Sequence, residues 1–399
     1  MIRYSMDNHK ILLLVRCIVL FAATSVIAAC GNSENHKPGT NYPLDDVLRM
    51  HEAQVLGSHN SYHVQPKPDL FQGILALAPP LAEAWEYTHL PLSEQFTDQK
   101  IRQIEIDIFA DPEGGLYANR AAMEFLTGDG ASNLPELDEP GFKVLHVQDV
   151  DFESTCFTFK ACLQQVQTWS SQNPEHYPIL VLVEAKDEPI EAPFETVVPI
   201  RFDAAQLDAV DQEILDVFPR DQLLLPDDVR GSSETLWEAV EERGWPTLAE
   251  SRGKVWFALD NGAPLKDIYQ IGHSSLRGRV LFVSASPPEE AAAFVKLNDP
   301  IGAFDQIQEY VARNLMIRTR ADADTLQART GDTTQRDAAI NSGAQFVSTD
   351  YPVANPELGT DYRVTLPGGA IARCNPINAS PSCTDQDLEK SPNPSVKQP

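Results

Sequence analysis

Basic residues are scarce in this 399-residue sequence: 31 lysines and arginines face 58 aspartates and glutamates, which gives a formal net charge of −27 at pH 7. A nucleic-acid partner is therefore not expected, because there is no basic footprint to displace counterions from phosphates. Cysteine is also rare, with six residues and no C-x-x-C pair, so no cysteine-based metal pattern is present. No feature of the sequence indicates a protein partner.

The chain also lacks internal repeats, and its N-terminal apolar run at 18–29 is too short for an ordinary transmembrane helix. Basic residues precede this run, which makes residues 1–29 typical of an export signal. The motif VIAAC ends at Cys30 and resembles the bacterial lipoprotein box, in which the cysteine is lipidated. A plain secretory signal or an uncleaved anchor is the alternative interpretation.

A lipidated Cys30 predicts an exported protein held at a membrane by its N-terminus, periplasmic or on the cell surface. Asn32 is not the aspartate associated with inner-membrane retention, which favours the outer membrane in a bacterium with two membranes. Residues 30–45 predict a flexible tether, and residues 384–399 predict a disordered tail. One folded domain is expected between them, at 46–383.

Four further cysteines lie in the region expected to be exported, where the environment is oxidising. Four cysteines allow three connectivities. Their local spacing favours the pairs Cys156–Cys162 and Cys374–Cys383.

Short β-type runs recur along the chain and alternate with helical patterns. The runs lie at 53–58, 102–109, 143–148, 179–185, 254–260, 279–285, 315–320 and 344–350. Helical periodicity is found at 162–172, 207–218 and 335–343. Eight strands alternating with helices predict an α/β fold, a closed parallel (β/α)8 barrel of the TIM type.

The connections between the predicted strands are uneven. Two are long, 110–142 after the second strand and 186–253 after the fourth, and they predict lids or side walls. In such a barrel the chemistry lies at the carboxyl ends of the strands. Polar residues at those ends are therefore the candidates for a functional site.

Carboxylates occupy several of these positions. Glu105 and Asp107 are two residues apart on one strand and so face the same side, and Glu184 ends a later apolar strand. Converging carboxylates must take up protons or hold a hard cation, Ca²⁺ or Mg²⁺, and Asn60 can add an amide oxygen. The alternative is an ordinary ion pair, for which Lys186 is a near partner.

Two histidines, His59 and His146, lie at comparable strand ends, while His63 is expected to belong to a loop. A histidine titrates near neutral pH, so two of them beside a phosphodiester can stabilise developing charge and protonate a leaving alkoxide. A single strand histidine is more often a hydrogen-bonded structural residue. The combination with the carboxylates favours catalysis.

Basic residues near the same strand ends are candidates for binding a phosphate or a headgroup. Lys186 lies beside Glu184, and Arg318 and Arg320 alternate on the seventh predicted strand. Arginine forks suit phosphate oxygens. Alternatively these cations balance the carboxylates inside the barrel mouth, and Asp322 and Asp350 complete either network.

The order of these motifs resembles a known family. GSHNSYH, EID on the next strand, a strand histidine, YPILVLVEAK and GAQFVSTDYP together resemble the catalytic domain of calcium-dependent phosphoinositide phospholipases C. The likeness runs over about residues 50 to 355 and is strongest to the secreted microbial branch. Each motif is weak alone, and five in order are a strong signal.

The resemblance implies a reaction in which the inositol 2-hydroxyl attacks the adjacent phosphorus and yields a cyclic inositol phosphate and diacylglycerol. It implies that His146 protonates the leaving diacylglycerol, that His59 stabilises the phosphorus centre, and that Glu105 accepts the hydroxyl proton. The calcium ligands that it implies are Asn60, Glu105, Asp107 and Glu184.

The sequence departs from larger members of this family because no second lipid-binding domain or basic membrane patch is evident. A soluble inositol phosphodiester is therefore an alternative substrate. A glycerophosphodiester phosphodiesterase is a rival reading, but that family usually has arginine and glycine where this chain has Asn60 and Ser61. A non-catalytic headgroup-binding protein is the other rival, and such a binder would have no need of the two histidines.

Overall fold

The computed structural model of the protein describes residues 41–390. The predicted export signal, Cys30 and the end of the predicted tail lie outside the described residues. Within residues 41–390, no helix combines the length and the apolar character needed to cross a membrane.

Eight parallel strands form the wall of a barrel. They are β1 (Ala53–Ser58), β2 (Ile101–Ile108), β3 (Ile179–Ala185), β4 (Val255–Leu259), β5 (Leu281–Val283), β6 (Phe294–Lys296), β7 (Met316–Arg320) and β8 (Phe346–Thr349). Their hydrogen-bonded order is β5-β4-β3-β2-β1-β8-β7-β6. The two ends of this order meet at a single parallel bridge between Ser284 and Phe294, so the barrel is nearly closed. The predicted (β/α)8 fold is confirmed.

Most of the connections between strands contain helices. In the described part of the chain they are α1 (Pro68–Leu77), α2 (Pro79–Ala84), α3 (Leu92–Asp98), α4 (Ala121–Thr127), α5 (Phe159–Gln172), α6 (Ala204–Val217), α7 (Pro226–Arg230), α8 (Leu236–Arg243), α9 (Leu248–Ser251), α10 (Leu265–Gln270), α11 (Phe304–Ala312), α12 (Leu326–Thr330), α13 (Thr334–Asn341) and α14 (Asp385–Leu388). The long α5 and α6 begin at the polar caps that their sequences supply, Thr158 and Asp203, whose side chains accept hydrogen bonds from first-turn amides.

The predicted third strand, 143–148, is wrong. Lys143 makes antiparallel bridges to Phe109 and Thr158, and Val147 pairs with Asp151 in a tight reversal. The segment therefore extends the carboxyl end of β2 as a loop and does not enter the barrel wall. An apolar alternation predicts an extended chain, and it does not reveal which neighbour that chain pairs with.

The strand that completes the barrel is β6, which was not predicted. It has three residues and directly follows three alanines, so neither its length nor its composition is typical of a strand. Its position is fixed by its pairing with β7, where Val295 lies opposite Ile317. The second long excursion consequently follows β3 of the barrel.

Alternation along β2 separates the barrel interior from the surrounding helices. Ile104, Ile106 and Ile108 are completely buried in the main core, while the odd-numbered residues face the interior. Gln103 fills space above β1, since a Cβ at Gly57 would lie 1.8 Å from its Oε1. A glycine is required at this point of β1.

The last described residues pack against the start of the barrel. A ninth strand, β9 (Ala372–Cys374), pairs antiparallel with the beginning of β1. Buried Glu389 accepts a hydrogen bond of 2.8 Å from Arg102 Nε on β2. The prediction of a disordered tail from residue 384 is therefore wrong at its start, because α14 and this ion pair order residues 385–389. Tyr42, placed in the predicted tether, is likewise buried.

Both predicted disulfides are confirmed. Cys156 and Cys162 are joined with their Cα atoms 5.4 Å apart, and Cys374 and Cys383 with theirs 6.0 Å apart. The first tethers the loop that follows residues 143–148 to α5, and the second holds the segment after β9.

A second apolar cluster lies apart from the main core. It joins α1, α4 and the loop after β2, and its buried members are Leu70, Phe109, Tyr117, Ala122, Leu145 and Phe152. This cluster supports the part of the molecule that carries His146.

Candidate active site

His59 directly follows β1 and is held by a buried carboxylate at the end of β8. Its Nδ1 lies 2.7 Å from Asp350 Oδ1, so the ring donates that hydrogen to the carboxylate. Arg320 Nη1 donates to His59 Nε2 at 3.2 Å, and Arg320 Nη2 donates to Asp350 Oδ2 at 3.0 Å. Burial, assisted by Arg320, holds the pKa of His59 well below its usual value against the opposing charge of Asp350. The ring is therefore neutral, with its proton on Nδ1.

Asp322 fixes the turn that carries Asp350. Its Oδ1 accepts a hydrogen bond of 2.9 Å from the Asp350 amide, and Thr349 and Tyr362 donate to its other oxygen. Burial and the neighbouring Asp350 raise the pKa of Asp322 to about 6. Asp322 thus supports Asp350, the partner of His59.

His146 lies on the loop after β2 and is held by Asp151. Its Nδ1 donates to Asp151 Oδ2 at 2.7 Å, and its ring packs edge-on against Trp85 at 5.7 Å between centroids. Burial lowers the pKa of His146, and Asp151 opposes this effect. Within residues 41–390, Nε2 of His146 has no hydrogen-bond partner, so it is available to a ligand.

His63 contacts Asp151 and so supports the hydrogen bond between Asp151 and His146. It is completely buried, with Nε2 2.9 Å from Asp151 Oδ2 and Nδ1 3.1 Å from the Tyr87 carbonyl oxygen. His63 thus links Asp151 to the segment that carries Tyr87. Burial favours the neutral form of Asp151. The neighbouring His63 and the hydrogen bonds from His63 and His146 outweigh this effect and hold the pKa of Asp151 below its usual value.

Three carboxylates from three neighbouring strands converge at the barrel mouth. Oxygens of Glu105, Glu184 and Asp260 lie within 4.8 Å of one another, and Glu105 Oε1 is also 3.8 Å from His59 Nε2. Arg318 pairs with Glu105 and Lys296 pairs with Asp260. Burial raises the pKa of Glu105 to about 7 in spite of the opposing charge of Arg318.

Asp107 lies two residues beyond Glu105 on β2 and is paired with Glu184 on β3. It is completely buried, and neither carboxylate oxygen meets hydrogen-bond geometry with a donor among the described residues. Lys186 Nζ lies 3.2 Å from Asp107 Oδ2 and 3.4 Å from Glu184 Oε2. Burial nevertheless raises the pKa of Asp107, which marks a carboxylate with too little positive charge around it.

Asn60 presents a second oxygen without a donor. Its Nδ2 donates to the Tyr87 hydroxyl at 3.0 Å, which turns Oδ1 away from that contact, and buried Oδ1 has no hydrogen-bond partner in the described chain. A buried carbonyl oxygen left unpaired is costly unless a ligand occupies it. Unpaired amide and carboxylate oxygens are the donors that Ca²⁺ prefers, so these residues fit a calcium ion.

The predicted histidines, carboxylates and cations lie near one another at the barrel mouth. Arg318, Arg320 and Lys186 each pair with a carboxylate of the site. A cavity of about 500 Å³ is lined in part by His146, Glu184 and Lys186. Its volume is in the range of small-molecule sites.

Three functional neighbours were missed by the sequence analysis. Asp260 directly follows β4, much as Glu184 lies near the end of β3, so the same strand-end signal was present in the sequence. His63 was assigned to a loop, and Asp151 lies in a loop that no periodic pattern predicts. Nothing in their local sequence reveals that they meet.

A protein-family model described as "Phosphoinositide phospholipase C, Ca2+-dependent" matches residues 48–376. The chain belongs to this family. Phosphodiester cleavage of phosphatidylinositol-type substrates is therefore its activity, and this phospholipase C carries acidic groups able to hold a metal ion, as a calcium-dependent family requires. None of the curated proteins matches the sequence.

Solved structures similar to this phospholipase C include a calcium-dependent phosphoinositol-specific phospholipase C from the Gram-negative bacterium Pseudomonas sp. Its apo form is 16% identical, with 83% of this chain and 97% of that chain covered and a TM-score of 0.50. A structure titled as its myoinositol complex is 15% identical, with the same coverage and TM-score. The enzyme from Streptomyces antibioticus is 16% identical over 76% of this chain and 95% of that chain, with a TM-score of 0.49. At this identity, the two Pseudomonas structures support the barrel fold.

Proposed function

We propose that this phospholipase C cleaves its lipid by attack of the inositol 2-hydroxyl on phosphorus, releasing diacylglycerol and a cyclic inositol phosphate. The observation that carries the proposal is the pair of histidines, each hydrogen-bonded to a buried aspartate, beside a cluster of partly unpaired acidic oxygens. One group can take a proton near phosphorus while another gives one to the leaving oxygen.

Glu105 is proposed to accept the proton of the attacking hydroxyl. Burial raises its pKa, and a cation bound beside it would lower that pKa again, so that the carboxylate would be ionised and able to accept the proton. His59 Nε2 lies 3.8 Å from Glu105. A negative phosphate beside the ring would raise the pKa of His59, so that Nε2 gives up its hydrogen bond from Arg320 and donates to a phosphate oxygen instead. Asp350 then stabilises the charged ring. Arg320, which pairs with Asp350, adds positive charge that stabilises the phosphate.

His146 is proposed to protonate the departing diacylglycerol oxygen. Its Nε2 is available to a ligand, while Asp151 fixes the other ring nitrogen and thereby the direction of the ring. The buried His63 holds Asp151 in place, which makes it a positioning residue. The alkoxide would otherwise leave as a strong base.

Asn60, Glu105, Asp107 and Glu184 are proposed to hold the calcium ion, with Asp260 as an additional ligand. Calcium bound there would lower the pKa of the attacking hydroxyl and neutralise phosphate charge. Lys186 neutralises Asp107 and Glu184 in the described structure, so it is expected to compete with the cation for these oxygens.

Calcium binding is testable without turnover, because an ion that binds only the folded state raises the melting temperature. Addition of calcium in excess should raise Tm of the wild type, while Asn60→Ala and Glu184→Gln should show little rise. Exposed Glu242→Gln on α8, beside Arg49 and Lys254 before the first residues of β1 and β4, is the control. An undiminished rise in both site variants would contradict the assigned ligands.

The reaction itself can be followed by phosphorus NMR with phosphatidylinositol micelles, the full chain, and calcium or a chelator. Calcium-dependent appearance of inositol 1,2-cyclic phosphate is expected. Direct formation of the open inositol phosphate, with no cyclic intermediate at any time, would contradict attack by the 2-hydroxyl. Release of glycerol 3-phosphate from deacylated lipid would instead favour a glycerophosphodiester phosphodiesterase.

We also propose that Cys30 carries a lipid that holds the exported enzyme at a membrane. The support is the lipoprotein-like VIAAC motif, and the prediction of the outer membrane depends on Asn32. Such an anchor would compensate for the missing basic membrane patch, since an acidic protein is repelled by anionic lipid surfaces. Mass spectrometry of the mature N-terminus of Cys30→Ala beside the wild type tests the anchor.

A further inference from the structure

A second cavity, which we call the apolar groove, lies next to the catalytic cavity. Its walls come from α1 and α2 on one side, α4 on another, and residues 190–194 after β3, and its volume is about 430 Å³. Glu191 is the only charged residue among those that line it. A groove of this size and composition suits an apolar ligand.

The groove carries exposed apolar side chains that soluble proteins usually cover. Leu77, Leu81, Phe125 and Leu126 line it and retain between 44% and 74% of their surface. The buried cluster of Leu70, Ala122 and their neighbours lies beneath, so these side chains stand on a packed support. A continuous apolar surface of this kind marks a binding site.

The groove adjoins the cavity that is lined in part by His146, Glu184 and Lys186. Val147 and Ile190 line both of them, and Trp85, a groove residue, packs edge-on against His146. The apolar groove therefore begins beside the histidine proposed to protonate the leaving group. Whatever is attached to the leaving oxygen lies on this side of the site.

We propose that the apolar groove binds an acyl chain of the diacylglycerol portion of the substrate during cleavage. This inference rests on the proposed function, because it places the leaving group on the His146 side. The occupant is a single lipid chain drawn into the protein, since the groove has walls on several sides and the protein's net charge of −27 disfavours broad contact with an anionic lipid surface.

The proposal predicts a dependence on chain length for monomeric substrate. Phosphatidylinositols with four-, six- and eight-carbon chains are assayed below the concentration at which they self-associate, so that no lipid surface is present. Each methylene that enters the groove should improve binding by about fourfold. KM should fall correspondingly with chain length in the wild type.

Two substitutions should weaken binding of the lipid chain by different means. Gly73→Met fills it, since a Cβ at Gly73 would lie 3.6 Å from both Cδ atoms of Leu126. Leu81→Ser makes its wall polar, and its matched control is Leu215→Ser on α6, because Leu81 is 44% exposed and Leu215 is 43% exposed. The groove variants should raise KM for the eight-carbon substrate by about tenfold or more and flatten the chain-length series, as expected when two or more methylenes leave the groove. The control should keep the wild-type series.

Inositol 1,2-cyclic phosphate, which has no acyl chain, separates the groove from the headgroup site. Its inhibition constant as a competitor of the lipid substrate should change far less in the groove variants than KM for the eight-carbon lipid. An unchanged chain-length series in both groove variants would overturn the proposal. A loss confined to lipid vesicles would also overturn it and would assign the surface to contact with a bilayer.

Binding without turnover keeps the test independent of the reaction. Calorimetry with dihexanoylglycerol and dioctanoylglycerol, in the presence of a chelator, should show tighter binding of the longer chain by the wild type and a smaller difference in Gly73→Met. Equal binding of both by the wild type would overturn the groove assignment. Chain-selective binding by an enzyme that turns over no phosphatidylinositol would support the groove while contradicting the proposed function.

Discussion

The two site histidines are held by different parts of the molecule. His59 and its partner Asp350 sit at the ends of adjacent strands β1 and β8, and Arg320 on β7 contacts both. His146 and its partner Asp151 belong to one loop, and the second partner of Asp151 is the buried His63. A rigid barrel positions the first histidine, whereas a small hydrogen-bonded unit outside the barrel wall positions the second.

This difference in support corresponds to a difference in proposed task. Burial and the adjacent Arg320 keep the His59 ring neutral against the opposing charge of Asp350, which suits a group that is to be charged only beside a negative phosphate. Burial lowers the pKa of His146 as well, but no arginine adds to that effect, and Asp151 opposes it in favour of the protonated ring that an acid needs. Predictions that treat the two histidines separately therefore test the division of labour.

The largest effect is expected for His146→Ala. Loss of a general acid should lower kcat on phosphatidylinositol by about 10²- to 10⁴-fold. A substrate with an aryl leaving group, which departs without protonation, should restore most of that rate. His59→Ala should lose activity on both substrates, and equal losses of His146→Ala on both would contradict its role as the acid.

His59→Gln sharpens the same test. The amide can still donate a hydrogen bond to phosphate but cannot take up a proton. More activity in His59→Gln than in His59→Ala is expected for a donor, and an equal loss in both would point to His59 as the proton acceptor in place of Glu105.

The next effect concerns the two aspartates. Asp151→Asn should lower kcat/KM by roughly a hundredfold, less than complete loss of the acid. Because Asp151 raises the pKa of His146, its removal should lower that pKa and move the fall in activity at high pH towards more acidic values. Asp350→Asn should also reduce the rate, but with a much smaller shift of the pH profile, because burial and the neighbouring Arg320 already keep His59 neutral. The measurement is kcat/KM as a function of pH, and equal movements would contradict the comparison.

The smallest effect separates the disulfides. Removing either bond should destabilise the fold by about 2–3 kcal/mol, because each closes a short loop. Cys156→Ala with Cys162→Ala should also lower activity, since that bond braces the loop next to His63, where Ser154 bridges to His63. The pair Cys374→Ala and Cys383→Ala is the control, with a similar loss in Tm and wild-type kcat at a temperature where both fold. Equal kcat in the two double variants would mean that the loop needs no brace.

The barrel side of the comparison was largely predictable from the sequence. Glu105 and Asp107 share a face because of the two-residue period of a strand, and strand-end polarity placed His59, Glu184 and Asp350 at the mouth. The carboxyl ends of parallel strands meet, so a local pattern was sufficient to bring distant residues together.

The loop side was not predictable by the same reasoning. Residues 143–148 alternate like a strand, yet they pair with Phe109 and Thr158 outside the barrel wall. The approach of His63 to Asp151 crosses 88 positions of the chain and depends on how the segments after β1 and β2 pack together. Such contacts follow from tertiary packing, and no period in the sequence encodes them.

The position of β9 also affects the order in which the barrel can be assembled. β1 is the first barrel strand to be synthesised, but two of its three neighbours, β8 and β9, come from the last part of the described chain. Until those residues emerge, one side of β1 stays an open edge that other chains can pair with. Closure must therefore wait for nearly the whole chain, and a polypeptide truncated before residue 372 is expected to aggregate even though every residue proposed for catalysis is already present.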